Sequence, residues 1–212
     1  MKIDEHRNLA IPVVTETVTK KVKGKDVSES VVRIHAFHCP ISREIFETNY
    51  RVLAATKSAL ASRGTHYLMG SGPRVAALTL KDEGAKDAAD RGRFNEDGKI
   101  IDEETTALLA EIKRLTTILC PGTNGWELLP VDVAINQDKI DEEDWREAES
   151  AIVFFTCHYS MAKKVDREKT AQVMANFLSG LITSLPPMEF SASLQKSTPP
   201  EATKRTPSSI PS

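Results

Sequence analysis

The chain has 212 residues, with 28 Lys and Arg against 30 Asp and Glu and a formal net charge of −2. That length supports one domain with a substantial core, and a balance so close to neutral argues against nucleic acid or an anionic membrane as the partner. Cys39, Cys120 and Cys157 are widely spaced and odd in number, which argues against a disulfide framework and points to a reducing cytoplasm.

The opening MKIDEHRNLAIPVV mixes charges of both signs and lacks the apolar block of a signal peptide. Residues 11–38 read as a β-hairpin. Val14, Thr15, Thr17, Val18 and Thr19 make a β-branched strand, residues 23–26 are turn material, and residues 30–37 return. Val32, Ile34 and Ala36 fall on one face of the returning strand; Val31, Arg33 and His35 fall on the other. A lone hairpin is marginal in water, so this one must pack on helices or pair with another edge. A helix follows over residues 42–62, capped by Ser42, with Phe46, Tyr50, Leu53 and Leu60 on one face. After a loop at 69–73, Pro73 opens a short helix that reaches Leu80.

Residues 81–104 change character. They are charged and contain Gly84, Gly92 and Gly98, which predicts a mobile surface excursion. Leu108, Ile112, Leu115 and Leu119 then predict a helix over 104–119, ended by Pro121 and Gly122. Residues 126–130 read as an apolar linker. The longest periodic stretch is 141–185, two helices folded back as an antiparallel hairpin. Trp145, Ala148, Ile152, Phe155, Tyr159 and Ala162 recur at steps of three and four, behind an Asp141 cap. Residues 163–166 break the pattern. Ala171, Met174, Leu178, Leu181 and Leu185 resume it until Pro186 and Pro187 stop it. These stripes read as core.

Ser, Thr, Pro, Lys and Glu dominate beyond that point, so residues 188–212 are expected to form a disordered tail. Met188, Phe190 and Leu194 are large apolar residues in it and are the candidate partner-binding residues. The expected fold is therefore mainly α: a helical domain over residues 1–187 with an N-terminal β-hairpin, followed by a disordered C-terminal tail. The longest apolar run, residues 151–155, is too short for a bilayer.

Chemistry-bearing clusters are weak. His35, His38 and Cys39 together with Cys157 and His158 are the best metal candidates, but they lack the paired spacing of a zinc site. Cys157 and His158 also point about 100° apart on a helix. Asn95, Asp97, Gly98, Ile100 and Glu104 fit a calcium loop, except that Arg93 stands where its first carboxylate belongs. Residues 70–74, Gly-Ser-Gly-Pro-Arg, open a helix in a way that can hold an anion, without the Lys of a P-loop. No nucleophile constellation is present in the sequence, so no catalytic, metal or cofactor site is expected.

The wording of the chain is more informative. WREAESAIVFFTCHYSMAKK, then a polar break, an apolar helix and PPMEFSASLQKSTPP, resembles the tail assembly chaperones of long-tailed, lambda-like bacteriophages. The likeness continues upstream in FHCPISREIFETNYRVLAATKSALASRG, SGPRVAALTLKDEG and LLAEIKRLTTILCPGTNGWELLPVD, together covering most of residues 35–200. It implies a non-enzymatic assembly factor of the host cytoplasm that binds the tape-measure protein in many copies and keeps it soluble. It also implies recruitment of tail-tube subunits, self-association along the tape measure, and absence from the finished virion. Neither nucleic acid nor membrane is an implied partner. In that family a ribosomal frameshift often yields a longer second form. The rival expectations are a structural or tail-completion protein of the virion and, more distantly, a small metal-dependent enzyme using the His and Cys residues.

Overall fold

A long antiparallel ribbon opens the structure. In a computed structural model that describes residues 7–22, 25–123 and 125–194, β1 (Asn8–Val22) pairs with β2 (Lys25–His38) along its whole length, with irregularities around Val14. Four helices follow: α1 (Arg43–Ser62), α2 (Thr65–Gly70), α3 (Gly72–Asp90) and α4 (Glu103–Arg114). Ser42 caps α1 by accepting from the Ile45 amide at 3.2 Å, and Asp102 caps α4 by accepting from the Thr105 amide at 3.0 Å. The chain then forms β3 (Thr116–Gly122), β4 (Gly125–Pro130), α5 (Val131–Asn136) and α6 (Glu142–Tyr159). It ends in α7 (Arg167–Phe177), β5 (Leu181–Thr183) and α8 (Pro187–Ser193).

The hairpin is not alone, and this corrects the expectation of a mainly α fold. The strands form one five-stranded sheet in the order β4-β3-β2-β1-β5, with every neighbouring pair antiparallel. With eight helices among the described residues, the fold is mixed α/β. The helix expected over 104–119 stops at Arg114, and residues 116–119 pair with β2 instead, Ile118 opposite Ala36. Thr116, Thr117 and Ile118 are β-branched and favour the pleated strand. The apolar linker at 126–130 is β4, returning along β3 with Leu129 opposite Ile118. The second helix of the 141–185 pair ends at Phe177, and the turn through Ser179 (φ 53°) and Gly180 leads into β5.

One face of the sheet carries the main core. Leu9, Ile11, Ile34, Ala36 and Ile118 meet the helices there, and α6 is the central one, packing chiefly on α3 and also touching α1, α4, α7 and β1. Trp145, Ala148, Ile152 and Phe155 are buried, in line with the stripe read from their spacing. Val153, Phe154, Thr156 and Cys157 are buried too, so the C-terminal half of α6 is enclosed nearly all round.

Residues 81–104, expected as a surface excursion, take part in the packing through Gly84 and Ala88, buried on α3, and through the close approach of Gly84 to Thr105. Residues 81–90 complete α3, and a short bridge pairs Phe94 with Ile100. Charge there is used in pairs: Arg91 bonds Asp87 and Glu104, Arg93 bonds Glu104, and Arg51 bonds Asp87, each at 2.7–3.0 Å. The tail expected from residue 188 is likewise helical as far as Ser193. Residues 195–212 of that tail lie outside the described residues. No helix among the described residues is long and apolar enough to cross a membrane.

Candidate protein-binding face

The face of the sheet turned away from the main core is apolar and thinly covered. Ala10, Phe37 and Leu119 are buried on it, with Cys39, Trp126, Leu128, Leu185 and Leu194 packed around them. Alternation along each strand explains the placement: Leu9 and Ala36 turn to the helices, so Ala10 and Phe37 turn the other way. α8, seven residues long, is the helix that closes this face.

Its path is set by a few bonds. Asn8 donates its side-chain amide to the Leu185 carbonyl at 3.0 Å, and the Leu185 amide donates to the Thr183 hydroxyl at 3.1 Å. Pro186 then holds an extended conformation and Pro187 takes the first helical position, where no amide proton is needed. Ser191 and Ser193 turn their hydroxyls onto the Met188 and Phe190 carbonyls. Of the three residues singled out in the sequence, Phe190 is 5 % exposed and Met188 75 %. Leu194 packs at the edge of the same cluster. Phe190 is therefore an anchor already seated in its own protein, with its ring centre 5.4 Å from that of Phe37 and 6.3 Å from that of His35. His35 in turn lies 5.6 Å from Trp126. Burial lowers the His35 pKa to about 4, so the ring is neutral at pH 7 and serves as an apolar member of the group.

His38 is fully buried at the end of β2. The Thr116 hydroxyl donates to the Ile112 carbonyl at 2.7 Å and so accepts from His38 Nδ1, 3.0 Å away. Nε2 has no partner among the described residues. Burial pushes this pKa down to about 3, against a smaller opposing pull from the Glu111 carboxylate. The unfolded chain takes up the proton near 6.5, so the stability from neutral His38 is complete above that pH. It is lost progressively as pH falls from 6.5 toward 3, and His35 acts in the same direction toward 4. The melting temperature should therefore drop between pH 7 and pH 4, and His38→Gln should make that drop shallower. An unchanged slope in the variant would show that His38 is not the titrating group.

The other candidates separate in space or are already occupied. No three His, Cys, Asp or Glu side chains among the described residues form a group able to hold a metal ion. Cys157 belongs to the main core, where burial lifts its thiol to about 12, whereas Cys39 packs on the opposite face of the sheet. In the calcium-like loop, Arg93 bonds Glu104 at 2.7 Å, so the first position neutralises the last. In the anion-like turn, Gly72 is buried against the Phe154 ring, which an added Cβ would meet at 3.0 Å. Arg74 is paired with Glu147 at 3.1 Å beside a cleft of about 290 Å³ floored by Ile11, Ala148 and Phe177.

Comparison with known proteins adds no relative: no protein-family model, no curated protein and no solved structure matches the chain. Sequence reasoning did not gather His35, Phe37 and Trp126 into one site. His35 and Phe37 are 89 or more residues from Trp126 along the chain and meet it through the β2–β3–β4 register.

Proposed function

We propose that this protein is a tail assembly chaperone of a long-tailed bacteriophage. It binds the tape-measure protein and recruits tail-tube subunits in the host cytoplasm without catalysis, and it is not retained in the virion. The resemblance of residues 35–200 to that family supports the reading. The structural observation that carries it is the aromatic sheet face of His35, Phe37 and Trp126, closed by one short helix through Phe190. A tape-measure chain is long, helical and apolar on one side, and in this reading such a stripe takes the place of α8, the short helix that covers Phe37 and the rest of the face. Aromatic side chains are the usual anchors of such contacts.

Co-expression with the tape-measure protein of the same phage tests the proposal. The tape measure should stay soluble and copurify with the wild-type chain, and Trp126→Ala should lose both effects while remaining folded. An insoluble tape measure at every expression ratio would count against it. So would stoichiometric recovery of this chain from purified particles by mass spectrometry.

A second expected result concerns the closing helix. Phe190→Ala removes a buried ring, a change of roughly 3–5 kcal/mol in a well-packed core. The loss falls on α8, whose docking rests on this side chain. Limited proteolysis between residues 185 and 195 should therefore speed up by about tenfold or more, tracking the open fraction. Unchanged cutting would mean that Phe190 does not hold the helix.

A further inference from the structure

An isolated helix shorter than about 12–15 residues is marginal in water. The seven residues of α8 therefore owe their helical form to docking on the sheet. That docking is narrow. Met188, Glu189, Ala192 and Ser193 are exposed, while Phe190 and Ser191 are buried. The Ser191 and Ser193 hydroxyls bond carbonyls of α8 itself. The chief tie to the sheet is the Phe190 ring, 5.4 Å from that of Phe37, with Leu194 beside it in the same cluster. Standing four residues apart, Phe190 and Leu194 share one face of a helix.

α8 is also separable from the rest of the fold. It belongs to the small cluster around Phe37 and adds no side chain to the main core across the sheet. Upstream, Asn8 and Thr183 pin the chain at Leu185. Pro186 follows, extended and exposed, and is the point where α8 can swing away without disturbing β5. Opening there uncovers Ala10, Phe37 and Leu119, which are now 0–1 % exposed. Bare apolar surface of that kind is unfavourable in water, so the face stays closed until another surface replaces α8.

We propose that α8 is an autoinhibitory latch, in which Phe190 holds the place of a partner's anchor. The partner to which it yields is a helix with an aromatic residue and an aliphatic one four positions on, the pattern that α8 presents at Phe190 and Leu194. The aromatic preference follows from the tilted contact with Phe37 and the edge contact with His35. Rings gain from such pairing beyond the area they bury, and an aliphatic chain does not. Being tethered through Pro186, α8 competes at an effective concentration of about 1 mM, as for other short linkers. Stray apolar segments at lower concentration are thereby kept off the face. A partner opens it when its affinity or local concentration exceeds that threshold. The latch rests on the reading of this face as a helix-binding site and adds the device that regulates it.

The test uses the full chain and a fluorescently labelled peptide of residues 185–194, with binding read by anisotropy. Phe190→Ala should stay folded by circular dichroism and bind the peptide with a Kd of about 100 μM or below. The wild type should bind it roughly tenfold more weakly or worse, because its own α8 occupies the face. Leu194→Ala, a smaller loosening, should fall between the two. Leucine in place of the peptide's phenylalanine should weaken binding by roughly twofold to tenfold, and alanine there should abolish it. An unfolded Phe190→Ala chain would overturn the proposal, since the latch must open without melting the main core. Equal binding by the wild type and Phe190→Ala, binding by neither, a Leu194→Ala chain no better than wild type, or a leucine or alanine peptide as tight as the original would overturn it too. Copurification separates the latch from the chaperone reading. A Phe190→Ala chain that captures the peptide but leaves the tape-measure protein insoluble removes that partner and keeps the latch. A wild type that holds the tape measure while neither chain binds the peptide keeps the chaperone and removes the latch.

Discussion

Replacing Ile152 with aspartate is expected to unfold the protein outright. Ile152 is fully buried at the middle of α6, the helix on which the main core converges. Deleting most of a buried isoleucine costs about 2–5 kcal/mol. Burying a carboxylate without a partner adds several more, or forces it to stay protonated. The sum approaches the whole stability of a typical domain, about 5–15 kcal/mol. Circular dichroism should show loss of helix at 25 °C, whereas Ile152→Val should remain folded with a modest cost of about 1 kcal/mol. A folded Ile152→Asp chain that had lost its partner would instead mark the α6 stripe as a binding surface.

That prediction draws on the part of the fold most legible in the sequence. α6 declares itself through Asp141, whose side chain bonds the Glu143 and Asp144 amides while Asp144 bonds back, and through four turns of regular apolar spacing. The strands β3 and β4 were harder to see. Leu108, Ile112, Leu115 and Leu119 keep helical spacing across the point where α4 ends, so the period carried the expected helix into a strand. The turn between Gly122 and Gly125 flanked by apolar runs was the available signal for a hairpin. β5 is three residues long and left no local trace; Leu181 and Leu185 even continue the helical register of α7. Met188, Phe190 and Leu194 stood out because their neighbours are polar. Whether each is buried depends on Phe37 and Trp126, which reach the site through strand pairing, and no local pattern reports that.

Substitution of Gly84 is expected to give the second large effect, and it concerns a stretch that composition misrepresents. A glycine inside a helix ordinarily costs about 1 kcal/mol relative to alanine, so Gly84→Ala at an open site would stabilise α3. Gly84 is buried instead, and a Cβ there would fall well inside van der Waals contact of the Thr105 hydroxyl and the Asp102 carboxylate. Asp102 is the cap of α4, and Thr105, 2 % exposed, donates the amide it accepts. The missing side chain is thus the notch in which the first turn of α4 sits on α3. Alanine must push that turn away, losing about 1 kcal/mol of capping and incurring overpacking of about 1–3 kcal/mol. Valine adds two more methyl groups and a β-branched clash, for a total of about 3 kcal/mol or more. Displacement of α4 also reaches the sheet, because Thr116 follows it directly and links its Ile112 carbonyl to His38. Urea unfolding should give midpoints in the order wild type, Gly84→Ala, Gly84→Val, from highest to lowest. A midpoint raised by alanine would mean that α3 and the α4 cap do not meet at this glycine.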